Sequence, residues 1–169
     1  LNYESFVQIK KPFDLSDTKL ALLRFYARWD IEKQYDYAVV EVSEDSINFS
    51  PLCGLYTKPG SDNQLKDEPV YDGTQTEWIR EEMDLSSYIG QKKIWIRFRM
   101  FSDAFVSGEG FWVDDIEITK ITETVKTQET QTFSAELFPT VSDGSGPLTI
   151  KGKTDYQNIS CQFINVYGE

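Results

Sequence analysis

Any chemistry in this sequence falls to carboxylates and aromatics, because the residues that most often carry catalysis are missing. The chain has no histidine and only two cysteines, Cys53 and Cys161. That excludes Ser-His-Asp and Cys-His catalysis, histidine general bases and zinc sites built on imidazole. Two isolated cysteines specify neither a zinc site nor a disulfide framework, so separate free thiols are expected rather than one bridge. No GxxxxGK[ST] or GxGxxG phosphate loop occurs. A carboxylate-pair hydrolase stays formally open, since 28 residues are acidic. With no base, metal centre or acid–base motif to support one, the sequence reads as non-catalytic.

Strand parity singles out two carboxylates. Asp36 shares a face with Ala38, Val40 and Val42, and Asp114 shares one with Ile116 and Ile118. Both sit at strand entrances and point toward the core side, where a carboxylate must be paired, hydrogen-bonded or metal-bound. Calcium suits such a place, because it takes about six to eight oxygen ligands in flexible geometry. Backbone N–H donors, or an arginine such as Arg28, would serve equally, and the sequence does not choose between these solutions. The phase of Phe111–Val113 conflicts with that of Ile116–Ile118, and a β-bulge at Asp114-Asp115 would reconcile them. Among the aromatics, Trp95 lies opposite the buried set of its strand, beside Arg97 and Arg99. It would make a ligand platform for a sugar ring or, more simply, a cation–π surface patch.

The elements that position these residues are strands. Ala21, Leu23, Phe25, Ala27 and Trp29 alternate with Arg24, Tyr26 and Arg28. Ile94, Ile96, Phe98 and Met100 alternate with Arg97 and Arg99. This is the period of a strand with one buried face. Shorter strands are expected near Phe6–Lys10, Trp78–Met83 and Phe111–Ile121, separated by turn clusters such as Ser43-Glu44-Asp45-Ser46. With no βαβ alternation, the fold class is all-β, a jelly-roll-type antiparallel β-sandwich. Asp14-Leu15-Ser16 and Asp84-Leu85-Ser86 each precede a strand with Arg-Phe, and each would cap a short turn while the leucine tucks under the sheet. The long loop from Leu55 to Thr76 has little apolar periodicity, and Tyr56, Val70 and Tyr71 are the residues able to pin it.

Residues 1–121 are read as the sandwich and 122–132, rich in Thr, Gln and Glu, as a linker. Residues 133–169 are read as a partial, small Ig-like β-module, too short to be stable alone. The start at Leu1 suggests a piece of a longer protein. With 17 basic against 28 acidic residues and a net charge of −11, nucleic acid and anionic membranes are disfavoured partners. No apolar run approaches the roughly 18 residues of a membrane span.

The stretch Tyr35-Asp-Tyr-Ala-Val-Val-Glu-Val-Ser, then Asp84-Leu85-Ser86, Ile96-Arg97-Phe98-Arg99 and Glu109-Gly-Phe-Trp-Val-Asp-Asp-Ile116, resembles the jelly-roll domains attached to secreted bacterial metallopeptidases. These are the immune-inhibitor-A-type proteases and some zinc carboxypeptidases, and the domains are MAM-like in pattern. Coverage runs from about Phe6 to Ile121. The resemblance implies a C-terminal accessory domain that stabilises or positions a catalytic domain in cis, on a secreted or cell-surface protein. It also implies a structural calcium ion near the Asp-Asp-Ile motif, which adds Glu4 and Asp115 to Asp36 and Asp114 as candidate ligands. Separately, Leu137-Phe-Pro-Thr140, Leu148-Thr-Ile150 and Ile164-Asn-Val-Tyr-Gly168 resemble the opening of a type IX secretion C-terminal sorting domain, although Pro139-Thr140-Val141 stands where that family usually has Pro-Asn-Pro. The type IX machinery would then be a partner. The alternative function is a carbohydrate-binding module.

Overall fold

The computed structural model describes residues 3–103, 105–106 and 108–122, together with the backbone of 129–133 and 161–163. The strands are β1 (Tyr3–Ile9), β2 (Thr18–Ile31), β3 (Tyr37–Ser43), β4 (Ser50–Pro51), β5 (Lys58–Pro59), β6 (Pro69–Val70), β7 (Gly73–Asp84), β8 (Trp95–Ser102), β9 (Gly110–Thr122), β10 (Glu129–Phe133) and β11 (Cys161–Phe163). A 3-10 turn, Ser86–Tyr88, sits between β7 and β8. One sheet has the order β11-β1-β8-β3-β4, a second has β10-β9-β2-β7, and β5 and β6 form a small ribbon. All strand pairs are antiparallel. The molecule is therefore an antiparallel β-sandwich.

The alternation in β2 and β8 is what closes it. Ala21, Leu23, Phe25, Ala27 and Trp29 of β2 face Ile96 and Phe98 of β8 and Ala38, Val40 and Val42 of β3 in one cluster. Phe25 meets Phe98 edge-on across the two sheets, with centroids 5.2 Å apart at 88°. Each large side chain so buried contributes about 1.5–3 kcal/mol by area. The two Asp-Leu-Ser turns are built alike. Asp14 Oδ1 accepts the Ser16 N–H at 2.9 Å and Asp84 Oδ1 accepts the Ser86 N–H at 2.7 Å, while Leu15 and Leu85 are buried.

The long loop is held at several points. Val70 and Tyr71 are buried, and Tyr71 exchanges backbone hydrogen bonds with Ala38 at 2.8 and 2.9 Å, extending the edge of β3. Val70 packs on Tyr37 and Val39, so this loop covers the face of β3 that alternation would leave wet. With Ala38, Val40 and Val42 in the main core and Tyr37 and Val39 under the loop, β3 is buried along its whole length. Tyr56 is 47% exposed and contributes its N–H, not its ring, to the anchoring.

The backbone of 129–133 pairs with Ile116–Lys120 of β9, and that of 161–163 pairs with Val7–Ile9 of β1. Both short strands lie at sheet edges. Thr122 aside, the side chains of the segments read as linker and sorting-type module lie outside the described residues.

Candidate carboxylate site and aromatic face

The end of the sandwich where β2 stops, β3 begins and β8 stops gathers three acidic residues. Glu32 follows Ile31 of β2, Asp36 precedes Tyr37 of β3, and Asp103 follows Ser102 of β8. One carboxylate oxygen from each lies within 4.8 Å of the others. Asp36 is 1% exposed. Its Oδ1 accepts the Asp103 N–H and its Oδ2 the Ser102 hydroxyl, each at 2.8 Å. The Asp36 carbonyl accepts the Gln64 amide at 2.6 Å, which ties the long loop to the same corner.

Electrostatics at this corner are unbalanced. None of the three carboxylates pairs with a lysine or arginine among the described residues. Burial pushes the Asp36 carboxyl above its usual range against the Asp103 N–H and Ser102 hydroxyl, and the Asp103 charge adds to the rise. Glu32 is raised too, by burial first and then by the charges of Asp103 and Asp36. Glu32 Oε2 is buried and accepts no hydrogen bond. An all-oxygen set with an orphaned buried oxygen fits a hard cation such as calcium, which favours carboxylates and carbonyls over nitrogen or sulfur.

Asp72 shows the contrast. Burial acts to raise it, but Lys58, the Gln34 N–H and the Gln64 amide outweigh that and hold it below the usual carboxylate range. A buried acid with a cation beside it stays ionised without help.

Of the four residues singled out in the sequence as metal ligands, only Asp36 belongs to this cluster. Glu4 is on β1 and its Oε1 takes the Arg99 guanidinium at 3.2 Å. Asp114 is in the other sheet, on β9, opposite Tyr26. The bulge at Asp114-Asp115 is present: Arg24 pairs with Glu117 and Tyr26 with Asp114, so Asp115 and Ile116 together oppose Phe25. Asp115 adopts φ 48° there, and Asp114 Oδ1 accepts its N–H at 2.7 Å. The extra residue changes the phase, so Asp114 shares the solvent face with Tyr26 and not, as parity suggested, the core face with Ile116. Asp115 is exposed. Glu32 and Asp103 carry no signal in the sequence, because each lies just past a strand end, where alternation stops.

Trp95 is half-buried at the head of β8, opposite Ser43. The arginines beside it are committed elsewhere. Arg97 and Arg99 both bind the Glu41 carboxylate, at 2.8 and 2.9 Å, and Arg97 lies over the rings of Phe49 and Phe6. The exposed tryptophan is Trp78, 42% exposed, on the outer face of the second sheet beside Tyr26, 40% exposed. Cys53 is a free, exposed thiol, and the Cys161 side chain lies outside the described residues.

Comparison with known proteins converges on one family. Residues 6–139 match the family described as immune inhibitor A-like, MAM domain. The pre-pro-metalloprotease PrtV of Vibrio cholerae is 31% identical over 111 residues, covering 66% of this chain and 11% of that protein. Bacillopeptidase F of Bacillus subtilis is 26% identical over 111 residues, covering 66% of this chain and 7% of its own length. The chain thus spans about a tenth or less of the curated relatives it matches. No helix among the described residues is long and apolar enough to cross a membrane.

Proposed function

Since the chain belongs to the immune inhibitor A-like MAM domain family, we propose that it serves as a non-catalytic accessory domain of a secreted peptidase, stabilising or positioning the catalytic domain. The observation that carries this reading is the match over 6–139, on a stretch that makes up only 11% of one protease and 7% of another. A domain repeated beside different peptidases fits an auxiliary role, and a chain with no histidine offers few means of hydrolysis. The relatives' names support a peptidase parent without choosing a zinc carboxypeptidase. Export by the type IX route rests only on the resemblance of Leu137–Gly168.

A structural cation belongs to the same proposal. Glu32, Asp36 and Asp103 would hold it, and it would neutralise carboxylates that otherwise repel one another across 4.8 Å or less. Bound calcium supplies charge compensation there and fixes the ends of β2, β3 and β8 relative to one another.

Deletion of residues 6–139 from the parent peptidase tests the accessory role. The expected result is a catalytic domain that still cleaves small peptides but unfolds at lower temperature or accumulates poorly. Unchanged stability, yield and turnover on protein substrates would remove the role altogether. Hydrolysis by the isolated chain, abolished by mutating one of its own carboxylates, would replace it with an enzymatic one.

A further inference from the structure

The outer face of the β10-β9-β2-β7 sheet is organised in cross-strand rows. One row sets Glu82 and Glu117 on either side of Arg24, with Arg24 Nε bound to Glu82 at 2.7 Å. The next sets Arg80 and Asp114 on either side of Tyr26. In the third, Arg28 pairs with Trp112 of β9, and on its other side β7 bulges, because Ala27 pairs with Ile79 but Trp29 with Gln75. The bulge leaves Trp78 beside Arg28. The Arg28 guanidinium lies 5.3 Å from the Trp78 ring centroid and 4.6 Å from that of Trp112.

This third row is chemically unfinished. Arg28 has no carboxylate partner among the described residues, and its Nε is buried without an acceptor. In a chain of net charge −11, an unpaired cation between two indoles departs from the general pattern. Its counterpart in the first row has a glutamate at hydrogen-bond distance. Tyr26 and Trp78, 40% and 42% exposed, extend apolar ring surface on the same face. Arg80 and Asp114 then offer a donor and an acceptor beside the tyrosine.

We propose that this face binds an acidic sugar, with the ligand carboxylate on Arg28 and the ring's C–H face against Trp78 and Tyr26. A guanidinium meets a carboxylate through two parallel N–H donors, which fixes orientation as well as adding energy. Aromatic rings offer the flat apolar surface that a pyranose ring needs, and Asp114, with one oxygen taken by the Asp115 N–H, keeps the other for a hydroxyl. An aspartate or glutamate side chain from a peptide would satisfy Arg28 but cover little of Trp78 and Tyr26, so the acidic sugar uses more of the face. The overall negative charge does not forbid this, because at 0.15 M salt its reach is about 8 Å. The site is independent of the accessory role and lies on the opposite sheet from Asp36.

Calorimetric titration of the whole chain with a galacturonate oligomer, the matching neutral galactose oligomer and a glutamate-rich peptide tests the proposal. Saturable binding of the galacturonate oligomer is expected, with the neutral oligomer roughly 10- to 100-fold weaker for want of the charge-assisted pair. Trp78→Ala and Arg28→Lys should each weaken it at least about tenfold, while Trp95→Ala, on the other sheet, leaves it unchanged; circular dichroism confirms that each variant folds. Equal affinity for both sugars would overturn the role of Arg28, and no binding of either would overturn the site. Binding of the peptide alone would make the face an acidic-peptide site instead.

Discussion

The Tyr71 hydroxyl donates to the Glu81 carboxylate at 2.8 Å, and neither side chain has more than 1% of its surface exposed. Glu81 faces the sandwich interior from β7, opposite Phe25. It is satisfied there by donors: its Oε1 accepts the Leu55 and Glu82 N–H groups at 2.7 and 2.8 Å, and its Oε2 the Tyr56 N–H at 3.1 Å. The carboxylate therefore anchors the start of the long loop, and Tyr71, packed on Trp29 and Phe111, anchors its end.

Glu81→Gln should be strongly destabilising despite near-identical volume. Its amide NH2 would face backbone N–H groups, leaving buried donors without acceptors at about 1–3 kcal/mol each. Tyr71→Phe removes one donor and should cost about 1–2 kcal/mol. Gly54→Ala should resemble the glutamine variant, because its Cβ would sit 2.7 Å from the Glu81 carboxyl carbon. Chemical denaturation gives all three values, and a Glu81→Gln protein as stable as the parent would show that the loop is held by something else.

The three-carboxylate corner sets a pH dependence of known sign. Asp36 and Glu32 are raised above their usual values of 3.8 and 4.5, so the folded state binds protons that the unfolded state has released. Their contribution favours folding at low pH, and it declines as pH rises from those usual values through the shifted ones. In chelator, Asp36→Asn should therefore gain on the parent protein as pH goes from about 4 to 7. Calcium should reverse the order at pH 7 by stabilising only the parent, by about 2.7 kcal/mol at a hundredfold excess over Kd. Melting curves that superimpose in calcium and chelator would mean that no cation binds there.

Glu41 is 2% exposed and receives two guanidinium groups. Glu41→Ala leaves Arg97 and Arg99 half-buried without it, and removing one partner of a buried pair costs about 3–5 kcal/mol. Arg99 keeps Glu4 and Arg97 keeps its aromatic neighbours, so the loss should fall toward the lower end. A loss under about 1 kcal/mol in denaturant titration would show that the pair behaves as an exposed one.

What was legible in the sequence follows from how locally each feature is determined. The inward sets of β2 and β8 could be read because alternation is a property of neighbouring residues, and Met100, only half-buried, is the lone softening of that pattern. Glu81 was legible in principle, since it shares parity with Ile79 and Met83. The burial of Val39 was not, because it depends on a loop some thirty residues away folding over it, and that of Glu41 was not, because it goes with the Arg97 and Arg99 guanidinium groups of the neighbouring strand. Asp114 misled parity through the bulge, whose presence the conflicting phases did announce. Glu32 and Asp103 meet Asp36 only because β2, β3 and β8 end at one corner, a consequence of topology that no spacing in the chain expresses.

Chain boundaries supply the last prediction. Among the described residues, the buried core lies between Val7 and Thr119, and a chain ending at Ile121 retains that part of it. It loses β10, which pairs along Ile116–Lys120, and β11, which pairs along Val7–Ile9, both at sheet edges. An edge strand contributes pairing and protection but little burial, and removing it leaves a row of backbone donors and acceptors open to water. The expectation is a folded protein that melts a few degrees lower and associates more readily, whereas a chain ending at Pro139, where the family match ends, keeps β10 and should melt higher than the shorter one. Scanning calorimetry and light scattering on the two truncations decide the matter. If the chain ending at Ile121 fails to fold, residues 122–169 are part of the sandwich, and the division into sandwich, linker and separate module falls.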